Sequence, residues 1–264
     1  MANSWAAVKD TALRRGFGIV QRALRRANFD LRWVPLPEEP IPDREYYRPQ
    51  FSPWLQPEWQ RELRAGDLHS LVTLDRKYVL YSTLKQALLN VAGDVAECGV
   101  YKGGTAYIMA ELIDTLAPDR RLFLFDTFDG MPETDRAHDR HVAGQFNLTS
   151  LDAVRRYLGA FDNVQFAPGF IPDTLAAFED RHFSFVHIDL DIYQAILAAS
   201  QFFFDRVAPG GFIVYDDYGF ASCPGARRAV DEFYAEKRLS PLVLSTGQCV
   251  VFKGHEDGQR RASA

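Results

Sequence analysis

The chain has 264 residues, 47% of them hydrophobic and 25% charged, and a formal net charge of −5. This is a globular composition, and its acidic balance argues against a whole-chain electrostatic grip on nucleic acid. No run of about 18 uncharged apolar residues suggests a membrane span, the start lacks a signal-type apolar core, and Cys98, Cys223 and Cys249 have neither disulfide nor metal-motif spacing, so a cytoplasmic protein is expected.

Residues 1–32 hold Lys9, Arg14, Arg15, Arg22, Arg25, Arg26 and Arg32 against only Asp10 and Asp30. Leu13, Phe17, Val20 and Leu24 recur at helical spacing, which predicts a basic amphipathic helix. Such a helix suits either peripheral contact with an anionic membrane or packing against protein. Seven of the fourteen prolines fall between Pro35 and Pro57. Proline fixes φ and removes a donor, so residues 33–68 are expected to form an extended connector. Its Tyr46, Tyr47, Phe51, Trp54 and Trp59 predict that it packs over the main domain as a lid. A helix is expected over Tyr78–Val91, where Leu80, Leu84, Ala87 and Leu88 share a face.

From Gly93 short apolar runs alternate with helical patterns. The runs are residues 94–99, 121–126, 163–169, 183–189 and 211–217. Helices are expected up to Leu116, from Ser150, from Pro172, up to Val207, and over Gly225–Lys237. Alternation of this kind implies parallel strands under right-handed crossovers. The last two runs, 241–245 and 248–252, are separated only by Thr246 and Gly247, which implies an antiparallel hairpin at one edge. The fold class is therefore α/β, a doubly wound sheet of about seven strands spanning residues 69–256, with a disordered tail at 257–264.

Ligands of such sheets bind beyond the carboxyl ends of the strands. The first strand delivers Glu97, then Gly99, Gly103, Gly104 and Thr105; the second delivers Asp126 and Thr127. Glycines there let the backbone approach a ligand and aim a helix N-terminus at it. The spacing is not G-x-G-x-x-G, which speaks against a nicotinamide oxidoreductase. An acid before the first glycine suits a cationic group, and Asp126 is placed to accept from ribose hydroxyls. S-adenosylmethionine has both features. The fourth and fifth strands deliver Asp189 and Asp191, then Asp216 and Asp217. If these strands are neighbours, Asp189, Asp216 and Asp217 repel unless a cation sits among them, and an oxygen-only set favours Mg²⁺. Alternatively, one aspartate caps a helix and the others are solvated.

These segments, AECGVYKGG (96–104), LFDTFDGMPETD (124–135), HIDLDIY (187–193) and PGGFIVYDDYG (209–219), resemble the macrocin O-methyltransferase (TylF-type) family over about residues 70–240. The resemblance implies Mg²⁺- and S-adenosylmethionine-dependent methylation of a sugar hydroxyl on a natural product or glycan. It also implies metal ligation by Asp189, Asp216 and Asp217, donor binding by Glu97 and Asp126, and a homodimer. Gly99, Gly103, Thr105 and Thr127 complete the expected donor site. Methyl transfer needs a base for the hydroxyl proton. Asp189 is the first candidate and His141, in a long polar loop after Gly130, the second; His187 is read as structural, orienting a carboxylate. A small aromatic diol as acceptor, or a non-catalytic role in a membrane-associated glycan assembly system, are the alternatives.

Overall fold

The computed structural model describes residues 3–27, 51–237 and 239–254, with side chains from Arg15 onward. Residues 33–50 of the expected connector, the end of the basic segment at 28–32 and the tail at 257–264 lie outside the described residues. The chain divides into two units, residues 1–50 and 51–264. In the first, helix α1 (Asn3–Arg26) has no acid in its first turn and ends on Arg25 and Arg26, a charge order that favours the helix dipole at its carboxyl end. Among the described residues no helix is long and apolar enough to cross a membrane.

The second unit opens with α2 (Pro57–Arg64), started by Pro57 at a position whose N–H needs no partner. Trp54 and Trp59 pack on Tyr78, with ring centroids 6.2 and 5.1 Å apart. Helix α3 (Leu74–Asn90) starts four residues before the expected Tyr78. There follow β1 (Asp94–Cys98), α4 (Gly104–Leu116), β2 (Leu122–Asp126), α5 (Leu151–Tyr157), β3 (Val164–Pro168) and β4 (Phe183–Ile188). Next come α6 (Tyr193–Arg206), β5 (Val207–Tyr215), α7 (Pro224–Lys237), β6 (Leu242–Val243) and β7 (Cys249–Phe252). The helix expected from Pro172 is instead a single 3₁₀ turn, Leu175–Phe178. Its apolar Leu175 and Phe178 are three apart, a spacing that aligns on a three-residue turn rather than along a helix face.

The strands form one sheet in the order β3-β2-β1-β4-β5-β7-β6, with the last two antiparallel to their neighbours. Both faces are covered. Val95, Leu122, Leu124, Phe185 and Val214 pack with α3 and α4, whereas Ala96, Phe123, Phe125, Val186 and Tyr215 pack with α6 and α7. Successive strand residues alternate between these faces, so every residue of β4 is buried. Chain order reverses between β1 and β4, and a cavity lies at their carboxyl ends.

Candidate active site

Alternation along the strands settles which way the polar strand-end residues face. Glu97, His187 and Asp216 share the face of Val95, Phe185 and Val214, beneath α3 and α4. All three are fully buried. His187 Nδ1 lies 3.0 Å from Glu97 Oε1, and its Nε2 lies 3.7 Å from Asp216 Oδ1. Burial alone would lower the imidazole pKa; the carboxylates of Asp216 and Glu97 override it and raise it to about 10. Glu97 thus points into the core, away from the cavity wall where it was expected, and its Oε2 has no hydrogen-bond partner.

The glycine loop is built by close contact. Gly99 has φ +89°, and a Cβ there would lie 1.8 Å from the carbonyl oxygen of Asp189. Only glycine lets β1 and β4 exit side by side at this point. Asp126 Oδ2 accepts from the backbone N–H groups of Val100 (2.6 Å) and Tyr101 (2.9 Å), and Oδ1 accepts from Phe128 (2.7 Å). Its carboxylate therefore folds the loop as well as facing the cavity. Gly99, Thr105, Asp126 and Thr127 line that cavity. Gly103, at φ +87°, turns the chain into α4 and packs against Val154 and Tyr157 of α5 instead.

Asp189, Asp216 and Asp217 converge, with one oxygen from each lying within 4.8 Å of the others. Desolvation, then the charges of Asp216 and Asp217, push the Asp189 carboxyl well up; desolvation, then Asp191 and Asp216, do the same to Asp217. Asp216 differs. Burial pushes it up, but His187, Arg76 and Gln248 together draw it below the usual carboxylate range. Arg76, from the first turn of α3, forms an ion pair with Asp216 Oδ2, and Gln248 Nε2 donates to Oδ1 at 2.8 Å. A protein cation thus already relieves part of the repulsion that the strand-end acids predict. Tyr78, one helical step away, faces the Trp54–Trp59 cluster and not this cavity.

The loop between Gly130 and Ser150 is tied down at several points. Asp139 Oδ1 accepts from the N–H of Tyr193 at the start of α6, and Arg140 donates to the Ala221 carbonyl. These anchors place His141 on the cavity wall beside Asp191 and Cys223. Asp191 sits in the left-handed region at φ +62°, tolerable for a short polar side chain, and its N–H donates to Asp217 Oδ2 at 3.0 Å. Asp191, Cys223 and Gln248 carry no local motif; only the fold brings them here.

A doubly wound sheet with this strand order, a glycine loop at its switch point and acids on the adjoining strand ends define a class I methyltransferase. Residues 69–253 match the macrocin-O-methyltransferase (TylF) family, and the chain belongs to that family. Its enzymes are S-adenosylmethionine-dependent O-methyltransferases, and so is this protein. Among curated relatives, it is 30% identical over 210 residues to 8-demethyl-8-(2,3-dimethoxy-alpha-L-rhamnosyl)-tetracenomycin-C 4'-O-methyltransferase of Streptomyces olivaceus, covering 74% of this chain and 78% of the relative. It is also 30% identical to mycinamicin III 3''-O-methyltransferase of Micromonospora griseorubida, covering 70% and 77%. The solved structure of the O-methyltransferase NovP has the same fold, with a TM-score of 0.62 and 22% identity over 71% of this chain and 83% of that one.

Proposed function

We propose that this enzyme transfers a methyl group from S-adenosylmethionine to a hydroxyl of a sugar carried by a small natural product, with Mg²⁺ as cofactor. The observation that carries the reading is the meeting of Asp189, Asp216 and Asp217 beside the glycine loop, with Asp189 and Asp217 on the wall of one cavity and Asp216 buried behind them. Two relatives are named for methylation at sugar positions of glycosylated natural products, which supports a sugar acceptor over an aromatic diol.

The residues fit both groups. Donor binding falls to Gly99, Thr105, Asp126 and Thr127 on the wall; Asp126 Oδ1 accepts closely only from the Phe128 N–H, at 2.7 Å, which leaves it capacity for a ribose hydroxyl. Glu97 lies behind that wall, its Oε1 3.0 Å from His187 Nδ1, and supports the glycine loop from the core side rather than touching the donor. The metal set is oxygen-only and compact, and its repulsion is only partly relieved by Arg76, which suits a hard divalent cation. Bound there, such a cation would supply charge stabilisation to the acceptor oxygen and fix its orientation.

The chain's own residues then do three things. They hold donor and acceptor in line, which makes the displacement effectively unimolecular. Asp189, at the cavity wall, takes the hydroxyl proton as the oxygen bonds to the methyl carbon and the carbon–sulfur bond breaks. The apolar walls keep water from competing. A second reading gives the proton to His141, favoured by its Nε2 facing Asp191 at 3.5 Å on the same wall. Incubation with methyl-labelled S-adenosylmethionine and a panel of rhamnosylated acceptors, read by mass spectrometry, tests the function. A labelled sugar ring supports it, and label on an aglycone phenol instead rejects it.

A further inference from the structure

Three side chains on the cavity wall form a group distinct from the three aspartates. His141 Nε2 lies 3.5 Å from Cys223 Sγ and 3.5 Å from Asp191 Oδ1, and Cys223 Sγ lies 3.3 Å from the same Asp191 oxygen. The far side of the imidazole fixes its tautomer. Gln145 Oε1 lies 3.1 Å from the backbone N–H of Val142, so it is an acceptor there, and His141 Nδ1 at 2.7 Å must donate to it. Nε2 therefore turns a lone pair toward the cysteine and the aspartate. Three acceptor atoms face one another with only the thiol proton between them, and a single S–H satisfies one acceptor, not all.

A cation would satisfy all three at once. Nitrogen, sulfur and oxygen at zinc bond lengths of about 2.0, 2.3 and 2.1 Å, set at tetrahedral angles, lie about 3.3–3.6 Å from one another. The observed separations of 3.3–3.5 Å fall in that range. The Gln145 hydrogen bond supplies the outer support that orients a ligating histidine. We propose that His141, Asp191 and Cys223 form a binding site for Zn²⁺, with its fourth coordination position open to the cavity. Binding releases the Cys223 proton to solvent. The thiolate and imidazole select zinc over Mg²⁺, which prefers an all-oxygen set, so the two metals do not compete. Because the open position faces the cavity that an acceptor must enter, zinc bound here inhibits methyl transfer. That consequence rests on the function proposed above; the binding does not.

Cobalt is a spectroscopic stand-in for zinc. With the full-length protein in excess Mg²⁺, one equivalent of Co²⁺ should give the intense near-ultraviolet charge-transfer absorption of a thiolate–cobalt bond, and Zn²⁺ should abolish it. In Cys223→Ser the band should be absent and Zn²⁺ affinity, measured against a chromophoric chelator, should fall at least about 100-fold, in a protein that still melts cooperatively and whose methyl transfer zinc no longer inhibits. A wild-type cobalt spectrum without the thiolate band overturns the site, as does equal zinc affinity in the two proteins. Binding without inhibition overturns only the consequence for turnover.

Discussion

His187 on β4 and Glu97 on β1 are register partners in neighbouring parallel strands, and Nδ1 of the histidine lies 3.0 Å from Oε1 of the glutamate inside the core. The same imidazole reaches toward Asp216 on the next strand, so one side chain links the strands that carry the glycine loop and two of the three aspartates. A buried ionic group missing a partner is expensive. His187→Asn should therefore destabilise the fold by about 3–5 kcal/mol. The folded pKa, about 10, lies above the ordinary 6.5. The stabilisation is thus complete below about pH 6.5 and fades as pH rises through 10. Denaturant melts of wild type and variant at pH 6.5 and 10 should show the gap narrowing.

Asp126→Ala removes the acceptor for three backbone N–H groups in two loops. Unpairing them should cost about 1–3 kcal/mol and loosen the donor site. Calorimetry should show S-adenosylhomocysteine binding weakened at least tenfold, a larger loss than one ribose hydrogen bond would give.

Gly99→Ala places a methyl group 1.8 Å from the Asp189 carbonyl oxygen on a backbone at φ +89°. Strand β1 and the Asp189 turn would have to separate, so donor binding should be lost and the melting temperature should fall. Gly144, also left-handed but with nothing within 4 Å of a Cβ, serves as control: Gly144→Ala should lower stability by only about 1 kcal/mol.

Much of this arrangement was legible in the sequence. Asp126, Asp189, Asp216 and Asp217 each follow an apolar run, and strand periodicity together with the switch-point rule places them at one rim. The Thr246–Gly247 pair marked the terminal hairpin for the same local reason. What was not legible depends on pairing or on distant segments. Whether Glu97 faces ligand or core follows from its register with His187, which no local pattern encodes. Arg76 and Gln248 reach Asp216 from positions 140 and 32 residues away. Cys223 lacked metal-motif spacing because its neighbours His141 and Asp191 come from other loops.

If the three aspartates seat a divalent cation as proposed, Arg76 competes with it for Asp216. Arg76→Gln should destabilise the metal-free protein by about 2 kcal/mol, because a buried charge-assisted partner is lost. The freed carboxylate should then bind Mg²⁺ more tightly. Added Mg²⁺ should raise the melting temperature of the variant more than that of wild type.

Asp189, Asp216 and Asp217 are proposed to seat a cation needed for methyl transfer. The most direct measurement is the initial rate of labelled methyl transfer as a function of free Mg²⁺, for wild type and for Asp217→Asn. Wild type should be inactive in excess chelator and regain full rate along a saturable Mg²⁺ curve, with the variant displaced to much higher Mg²⁺. Undiminished turnover in excess chelator would contradict the account.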